Sequence, residues 1–431
     1  MEGRLFDVII VGSGAAGLMA AWELVRTGKR TAVVEAKDHV GGRAHTIYDD
    51  NFELPVELGA EFVHGDLELT KMLLKKADVE RYEVKGDIWQ NDNGSLDEQK
   101  DFIEDYSALN KKFKELREDI SVAEFMHEFL GGDEFQETRF SLKNYVEGYY
   151  AADTHKASTF SLREELANSD DEQYRIEGGY IKLIDYLYQQ CKQNGVQFFL
   201  SQPVREVQWK PGEVTIITEQ ERLSAEVALI TVPIGVLQSE SIFFSPAIPQ
   251  VINAARKLGF GPVVKTLLQF DEPFWKNKEF TKGKDLEDLN FILSRAIIPT
   301  WWTYHPKDVG MLTGWSGGPN ADKIKDLSNE EIMLNALHSL SDIFSIDKLT
   351  LHQKLKGWHV ANWVTDPYSR GGYSYEVVNG SNIKQLLLQS IEHTIYFAGE
   401  GLFDGPEIGT VEAALKTGRD TAHQVIAHLK S

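Results

Sequence analysis

Cysteine is nearly absent: Cys191 stands alone among 431 residues. This excludes an internal disulfide framework and any cysteine-built metal cluster, and it fits a reducing compartment. Positive charge is also scarce, with 45 Lys and Arg against 66 Asp and Glu and a formal net charge of −21. Such an excess disfavours nucleic acid and anionic membrane surfaces and favours the approach of a cation. No apolar run reaches the length of a membrane span. Neither repeats nor Pro-rich linkers interrupt the chain. The first apolar strand starts so close to Met1 that no secretory signal is expected, which makes a cytoplasmic protein, monomeric or homodimeric, the expectation. The length exceeds what one core usually supports, so two domains are expected.

Residues 6–46 carry the densest information. Val8, Ile9, Ile10 and Val11 form a buried strand that runs into Gly12-Ser13-Gly14-Ala15-Ala16-Gly17. A helix follows, then a second apolar strand, Thr31 to Val34, that ends on Glu35 and Ala36. Each part has a task in holding a dinucleotide. Gly12 permits the tight turn, Gly14 lets a pyrophosphate approach the backbone, and Gly17 lets the helix pack on the strand. The helix N-terminus, from Ala16 on, offers unpaired N–H groups to phosphate. Glu35 sits where the fingerprint places an acid for the ribose hydroxyls. Gly41-Gly42-Arg43 then adds a second glycine turn. It resembles the extension of two-domain flavoproteins, whose arginine reaches FAD phosphate, so the expected cofactor is FAD rather than a nicotinamide.

Further along, Phe102, Tyr106, Leu109, Phe113, Leu116 and Ile120 recur at helical spacing and predict one amphipathic helix packed on a core. Strand patterns return at 214–218 and 227–232. The final segment reads strand, glycine loop, helix, with Val411, Leu415, Gly418, Ala422, Val425 and Leu429 on one face. The fold class expected is α/β: a discontinuous Rossmann-type FAD domain (1–78, 174–255 and 388–431) interrupted by a mixed sheet-and-helix substrate domain (79–173 and 256–387).

The fingerprint, GGR, ELGAEFVHG, TVPIGVL, LGFGPVVK, DPYSRGGYSY, YFAGE and TVEAA occur in this order from residue 6 to about 425. Together they resemble the flavin-containing amine oxidases, a family of monoamine oxidases, polyamine oxidases and lysine-specific histone demethylases, with soluble polyamine oxidases the most similar. The resemblance implies that Lys265, a charge inside an apolar strand, acts through a water at flavin N5 and aids reoxidation by dioxygen. It implies that Trp363 packs beside the flavin and that Tyr373 forms an aromatic wall for the amine. Thr410 stands where many members carry a second tyrosine, which opens that side of the cavity. The resemblance further implies that the N–H groups of Thr410 and Val411 face the flavin pyrimidine, where a helix N-terminus stabilises negative charge, and that Ala414 lies at the cofactor. It likewise implies that Gly59, Ala60, Glu61 and Phe62 lie along the cofactor, as do Val204, Gly399 and Glu400. Glu61 and His64 are the expected substrate contacts. Gly372 replaces the cysteine that tethers flavin in monoamine oxidases, so FAD is expected to bind without a covalent bond.

The activity implied is oxidation of a C–N bond of a primary or secondary amine to an imine. Hydrolysis then gives an aldehyde and an amine or ammonia, and dioxygen leaves as hydrogen peroxide. An L-amino-acid oxidase, with Arg295 or Arg370 as the carboxylate ligand, or another FAD-dependent oxidase or dehydrogenase of the same fold is the alternative. A second is an FAD-bearing interaction protein with little turnover. The partners expected are a small amine and dioxygen, with no nucleic acid, membrane or metal.

Overall fold

The computed structural model describes residues 5–65, 67–92, 95–168 and 172–430. Its architecture is mixed α/β. The opening strand Leu5–Val11 lies parallel between Thr31–Val34 and Arg222–Ile230. Gln197–Phe199 extends this sheet beyond Thr31–Val34, and Ile395–Phe397 pairs parallel with Arg222–Ile230. An antiparallel ribbon of Glu213–Ile217 and Glu206–Lys210, edged by Phe243–Ser245, completes eight strands. The parallel strands are apolar throughout because both faces are covered: Val8 and Ile10 pack into one core cluster, Ile9 and Val11 into another.

The helix Ala15–Arg26 and the closing helix Val411–His428 pack together on one face. Their approach depends on Gly418, where a Cβ would lie 2.2 Å from the carbonyl oxygen of Ala16. Glu412, fully buried, reaches from the closing helix to the neighbouring helix Glu68–Ala77. It accepts the amides of Leu69 and Thr70 at 2.9 and 2.8 Å. That helix lacks a side-chain cap of its own, so a carboxylate from far along the chain satisfies amides that a first turn leaves unpaired.

The second sheet has seven strands, with Val263–Phe270 between Met311–Gly317 and Leu355–Asn362 and antiparallel to both. Every residue of Val263–Phe270 is buried. Residues 106–168 are largely helical and form a separate cluster around Leu109, Phe113, Phe125 and Leu162. Here one expectation is corrected. The stripe from Phe102 to Ile120 is not one helix: the helix spans Tyr106–Glu115, and Leu116 is extended. Phe102 packs instead on Phe291. Apolar spacing persists across the break because the turn buries Leu116 in the same core; periodicity reports a shared face, not a continuous helix. Among the described residues no helix is long and apolar enough to cross a membrane.

Candidate active site

The first glycine turn leads from the opening strand into the first helix and leaves space beside that helix's N-terminus. Gly12 has φ +105° and donates to Val34 O at 2.8 Å. A Cβ at Gly17 would lie 2.1 Å from Gly12 O, whereas one at Gly14 would meet nothing within 4 Å. The close approach therefore belongs to Gly17 and the open space to Gly14, which caps a helix whose first amides lack intrahelical partners. The second glycine turn lies against the first: Gly41 N donates to Ser13 O at 2.9 Å, and a Cβ on Gly42 would come 3.4 Å from Gly14 Cα. Glu35 is locked in place, with Oε2 accepting from Ser13 N and Oγ at 2.7 and 2.8 Å and Oε1 from Lys37 N at 2.9 Å. A carboxylate offers about four acceptor positions, so one remains. Gln202 N donates to Glu35 O at 2.8 Å, which brings the Val204 loop to the same edge.

From this edge the site continues inward. Arg43 Nη1 donates to Gly372 O at 2.6 Å and to Glu400 Oε1 at 2.8 Å. Both side chains line a pocket with Thr231, Pro233 and Gly399. Ser374 N and Oγ also bond Glu400, both at 3.2 Å, so the segment carrying Tyr373 is tied to the cofactor pocket on both sides. Ala60 N donates to Arg43 O at 3.0 Å. Trp363 donates from Nε1 to Leu58 O at 2.8 Å and shares a buried cluster with Val263, Trp315 and Tyr373. A side chain at Gly372 would strike Val263 Cγ2 at 2.4 Å; the glycine there has a packing reason. Thr410 is the N-cap of the closing helix, its hydroxyl accepting from Ala413 N at 3.2 Å. The preceding Gly409 lies against the Tyr373 ring. Ala414, 9% exposed, faces the core of the first sheet.

Lys265 lies opposite Trp315 and Ala361 in the strand register and is fully buried. Its Nζ donates to Glu61 Oε2 at 2.7 Å and to Gly59 O at 3.2 Å. Glu61 Oε1 accepts from Arg175 Nε at 2.8 Å and Trp302 Nε1 at 3.0 Å. Burial alone would push the Glu61 carboxyl up, but the Lys265 ammonium and Arg175 guanidinium outweigh it and hold it below the usual range. Three protein donors engage its oxygens, two of them the buried cations Lys265 and Arg175. His64 is pushed down to about 4 by burial and lies 3.4 Å from the Tyr149 hydroxyl through Nδ1. Its ring is neutral at neutral pH.

Aromatic rings close a circuit around this point. Phe62 meets Trp302 at 5.5 Å between centroids, Trp302 meets Trp315 at 5.8 Å, and Trp315 stacks on Tyr373 at 6.1 Å. The Tyr373 hydroxyl donates to Tyr149 O, Tyr149 meets His64 at 5.5 Å, and His64 returns to Phe62 at 6.0 Å. Sequence reasoning missed Arg175, Trp302, Trp315 and Tyr149. The signal for the tryptophans was present, since Trp301-Trp302 and Trp315 fall in short apolar runs; Arg175 had none. The two arginines considered for a carboxylate lie elsewhere. Arg295 pairs with Asp92 on the surface, and Arg370 is exposed.

Residues 15–426 match the family model described as flavin containing amine oxidoreductase. The chain is 27% identical to polyamine oxidase 2 of Arabidopsis thaliana over 461 residues, covering 99% of this chain and 90% of that protein. It is 26% identical to the lysine-specific histone demethylase 1 homolog 2 of Oryza sativa subsp. japonica, covering 97% of this chain but only 57% of the relative. The chain thus spans little more than half the length of the demethylases it matches. In fold it superposes on putrescine oxidase bound to putrescine with a TM-score of 0.79 at 20% identity, covering 98% of this chain and 99% of that one. Cyclohexylamine oxidase from Brevibacterium oxydans IH-35A gives a TM-score of 0.79 at 19% identity, covering 99% and 100%. With the family model matching residues 15–426, the chain belongs to the flavin containing amine oxidoreductase family.

Proposed function

We propose that the protein is an FAD-dependent amine oxidase that converts a primary or secondary amine to an imine and passes the electrons to dioxygen. One observation carries the reading: Lys265, Trp363 and Gly409 at the start of the closing helix, distant in sequence, each lie against the aromatic circuit that includes Tyr373, and Arg43 of the second glycine turn bonds the adjoining Gly372. The open space at Gly14, the acceptor position left on Glu35 and the Arg43–Glu400 pocket suit the phosphates and ribose of FAD. The Val263 side chain crowding Gly372 supports non-covalent binding. The segments 1–78, 174–255 and 388–431 form the FAD domain in this reading, and 79–173 and 256–387 the substrate domain.

FAD, when bound, supplies the two-electron acceptor. The chain supplies everything else. The aromatic faces exclude water and hold the amine over their π surfaces. His64, kept neutral, puts no cation beside the substrate nitrogen. An amine that enters deprotonated needs no side-chain base, and no acid–base pair is invoked. The N-terminus of the closing helix favours negative charge at the flavin edge. Lys265, held by Glu61 and Gly59 O, retains a third donor for water at the reacting edge.

Anaerobic mixing of the yellow protein with putrescine, spermidine, tyramine and free amino acids tests this: an amine should bleach the flavin, and failure of the whole amine series sinks the proposal. Lys265→Met should keep its flavin yet slow reoxidation by dioxygen about tenfold or more, the scale of a lost preorganised donor. Unchanged oxygen kinetics would remove that role.

A further inference from the structure

Two cations and one anion meet at a single buried point against the aromatic circuit. Glu61 stands between them, with Oε2 accepting from Lys265 Nζ at 2.7 Å and Oε1 from Arg175 Nε at 2.8 Å. All three side chains are buried. Both cations lie over rings of the circuit, Lys265 Nζ 5.6 Å from the Trp302 centroid and the Arg175 guanidinium 4.7 Å from that of Phe62. Arg175 is fixed from its other side too. Its Nη2 donates to Thr303 O at 2.9 Å, and the Tyr304 ring lies 4.6 Å away. The pairing of Phe62–His64 with Gln173–Ile176 sets this place, since it puts Arg175 opposite Phe62, the residue after Glu61.

The sum of charges at this point decides what the site feels. Lys265 and Glu61 alone would cancel and present a neutral pair. Arg175 leaves the group with one positive charge in excess. Among the described residues no second anion pairs with Arg175, and its buried Nη1 finds no acceptor. The neighbouring acid Glu57 is turned elsewhere, accepting from Tyr180 N and Thr46 Oγ1 at 2.6 Å each, and burial pushes its carboxyl up to about 7. A charge so enclosed is screened far less than one at the surface.

We propose that Arg175 is a positioning residue for the dioxygen half of the reaction: it anchors Glu61 against Lys265 and restores the positive charge that Glu61 cancels. The assignment rests on the amine-oxidase reading above and adds to it. The amine gives up two electrons and two protons as it becomes the imine, and dioxygen takes up two of each to leave as hydrogen peroxide. Electrons that reach dioxygen ahead of protons put negative charge on oxygen. A buried cation already in place stabilises that charge without reorganisation. A lysine alone could do this in a chain with no acid at position 61; with Glu61 beside it, the arginine is required.

The test is a cycle of charges read in reoxidation. Flavin-loaded variants are photoreduced without oxygen, below pH 7 so that the Glu57 carboxyl holds its proton, and then mixed with dioxygen. Arg175→Gln keeps hydrogen-bond donors but leaves a neutral Lys265–Glu61 pair, so reoxidation should slow about tenfold or more. Arg175→Lys keeps the charge and should hold most of the rate. The double variant E61Q/R175Q again carries one positive charge, on Lys265, and should recover most of what R175Q loses. Lost packing alone predicts the reverse, with the double variant slower than R175Q. A second readout does not depend on turnover: the midpoint potential of the bound flavin should fall in R175Q and return in E61Q/R175Q, because the same charge favours the more negative, reduced state. Wild-type reoxidation in R175Q, or a double variant slower still, overturns the role of Arg175. Anaerobic bleaching by amines reports on the underlying reading separately, and a flavin that no amine reduces overturns that reading as well.

Discussion

Lys265, Glu61 and Arg175 place two cations and one anion where water does not reach; the side chains of Lys265, Arg175 and Glu61 are 0%, 3% and 2% exposed. Such a group tolerates the loss of a cation better than the loss of its anion. Lys265→Met leaves the Glu61–Arg175 pair and the Trp302 bond intact. Glu61→Ala leaves two buried cations facing each other and should cost about 3–5 kcal/mol, as removal of one partner from a buried pair does. Urea denaturation should rank E61A far below K265M; equal losses would contradict the pairing. Lys265 was legible in the sequence as a charge in an apolar strand. Its partners were not. Arg175 is opposite Phe62 in a pairing between Phe62–His64 and Gln173–Ile176, and nothing local in either segment specifies that register.

At the scale of elements, the strands and helices of the nucleotide fold were legible because each carries its own period and punctuation. The closing helix buries Leu415, Gly418, Ala422 and Val425, the stripe its spacing predicts. The helical layer was less legible, because one apolar stripe ran through a single helix and the irregular segments on either side of it. What spacing alone did not reveal is how close the closing helix comes to the first. Gly418 permits that approach, and Gly418→Ala must push the two helices apart to free the 2.2 Å contact with Ala16 O. Overpacking of this kind costs about 1–3 kcal/mol. Because Ala16 belongs to the turn proposed above to hold phosphate, the displacement should also weaken cofactor retention. Dialysis of G418A should release flavin faster than the wild type does. A variant that is destabilised but retains flavin equally well would show that the cradle is insulated from this packing.

At the scale of the whole molecule, buried titratable groups set opposing slopes on stability against pH. His45 and His64 are pushed from 6.5 to about 4, chiefly by burial. The unfolded chain therefore takes up protons first, and stability falls as pH drops from 6.5 towards 4. Glu57 and Glu165 are raised by burial from 4.5 to about 7 and about 8. The folded chain then holds the extra protons, and stability falls as pH rises from 4.5 through those values. Between 4.5 and 6.5 the two sets oppose each other. Above 6.5 only the carboxyls act, so stability should decline from pH 6.5 to pH 8 by on the order of 1 kcal/mol. A net charge of −21 adds a self-repulsion that salt screens, so the decline is best followed at high salt. Urea midpoints at the two pH values should differ in the wild type, and Glu165→Gln, which removes the higher of the two carboxyls, should flatten most of the difference. A decline of equal size in E165Q would mean that Glu165 is charged throughout this range and that its surroundings do not hold the proton.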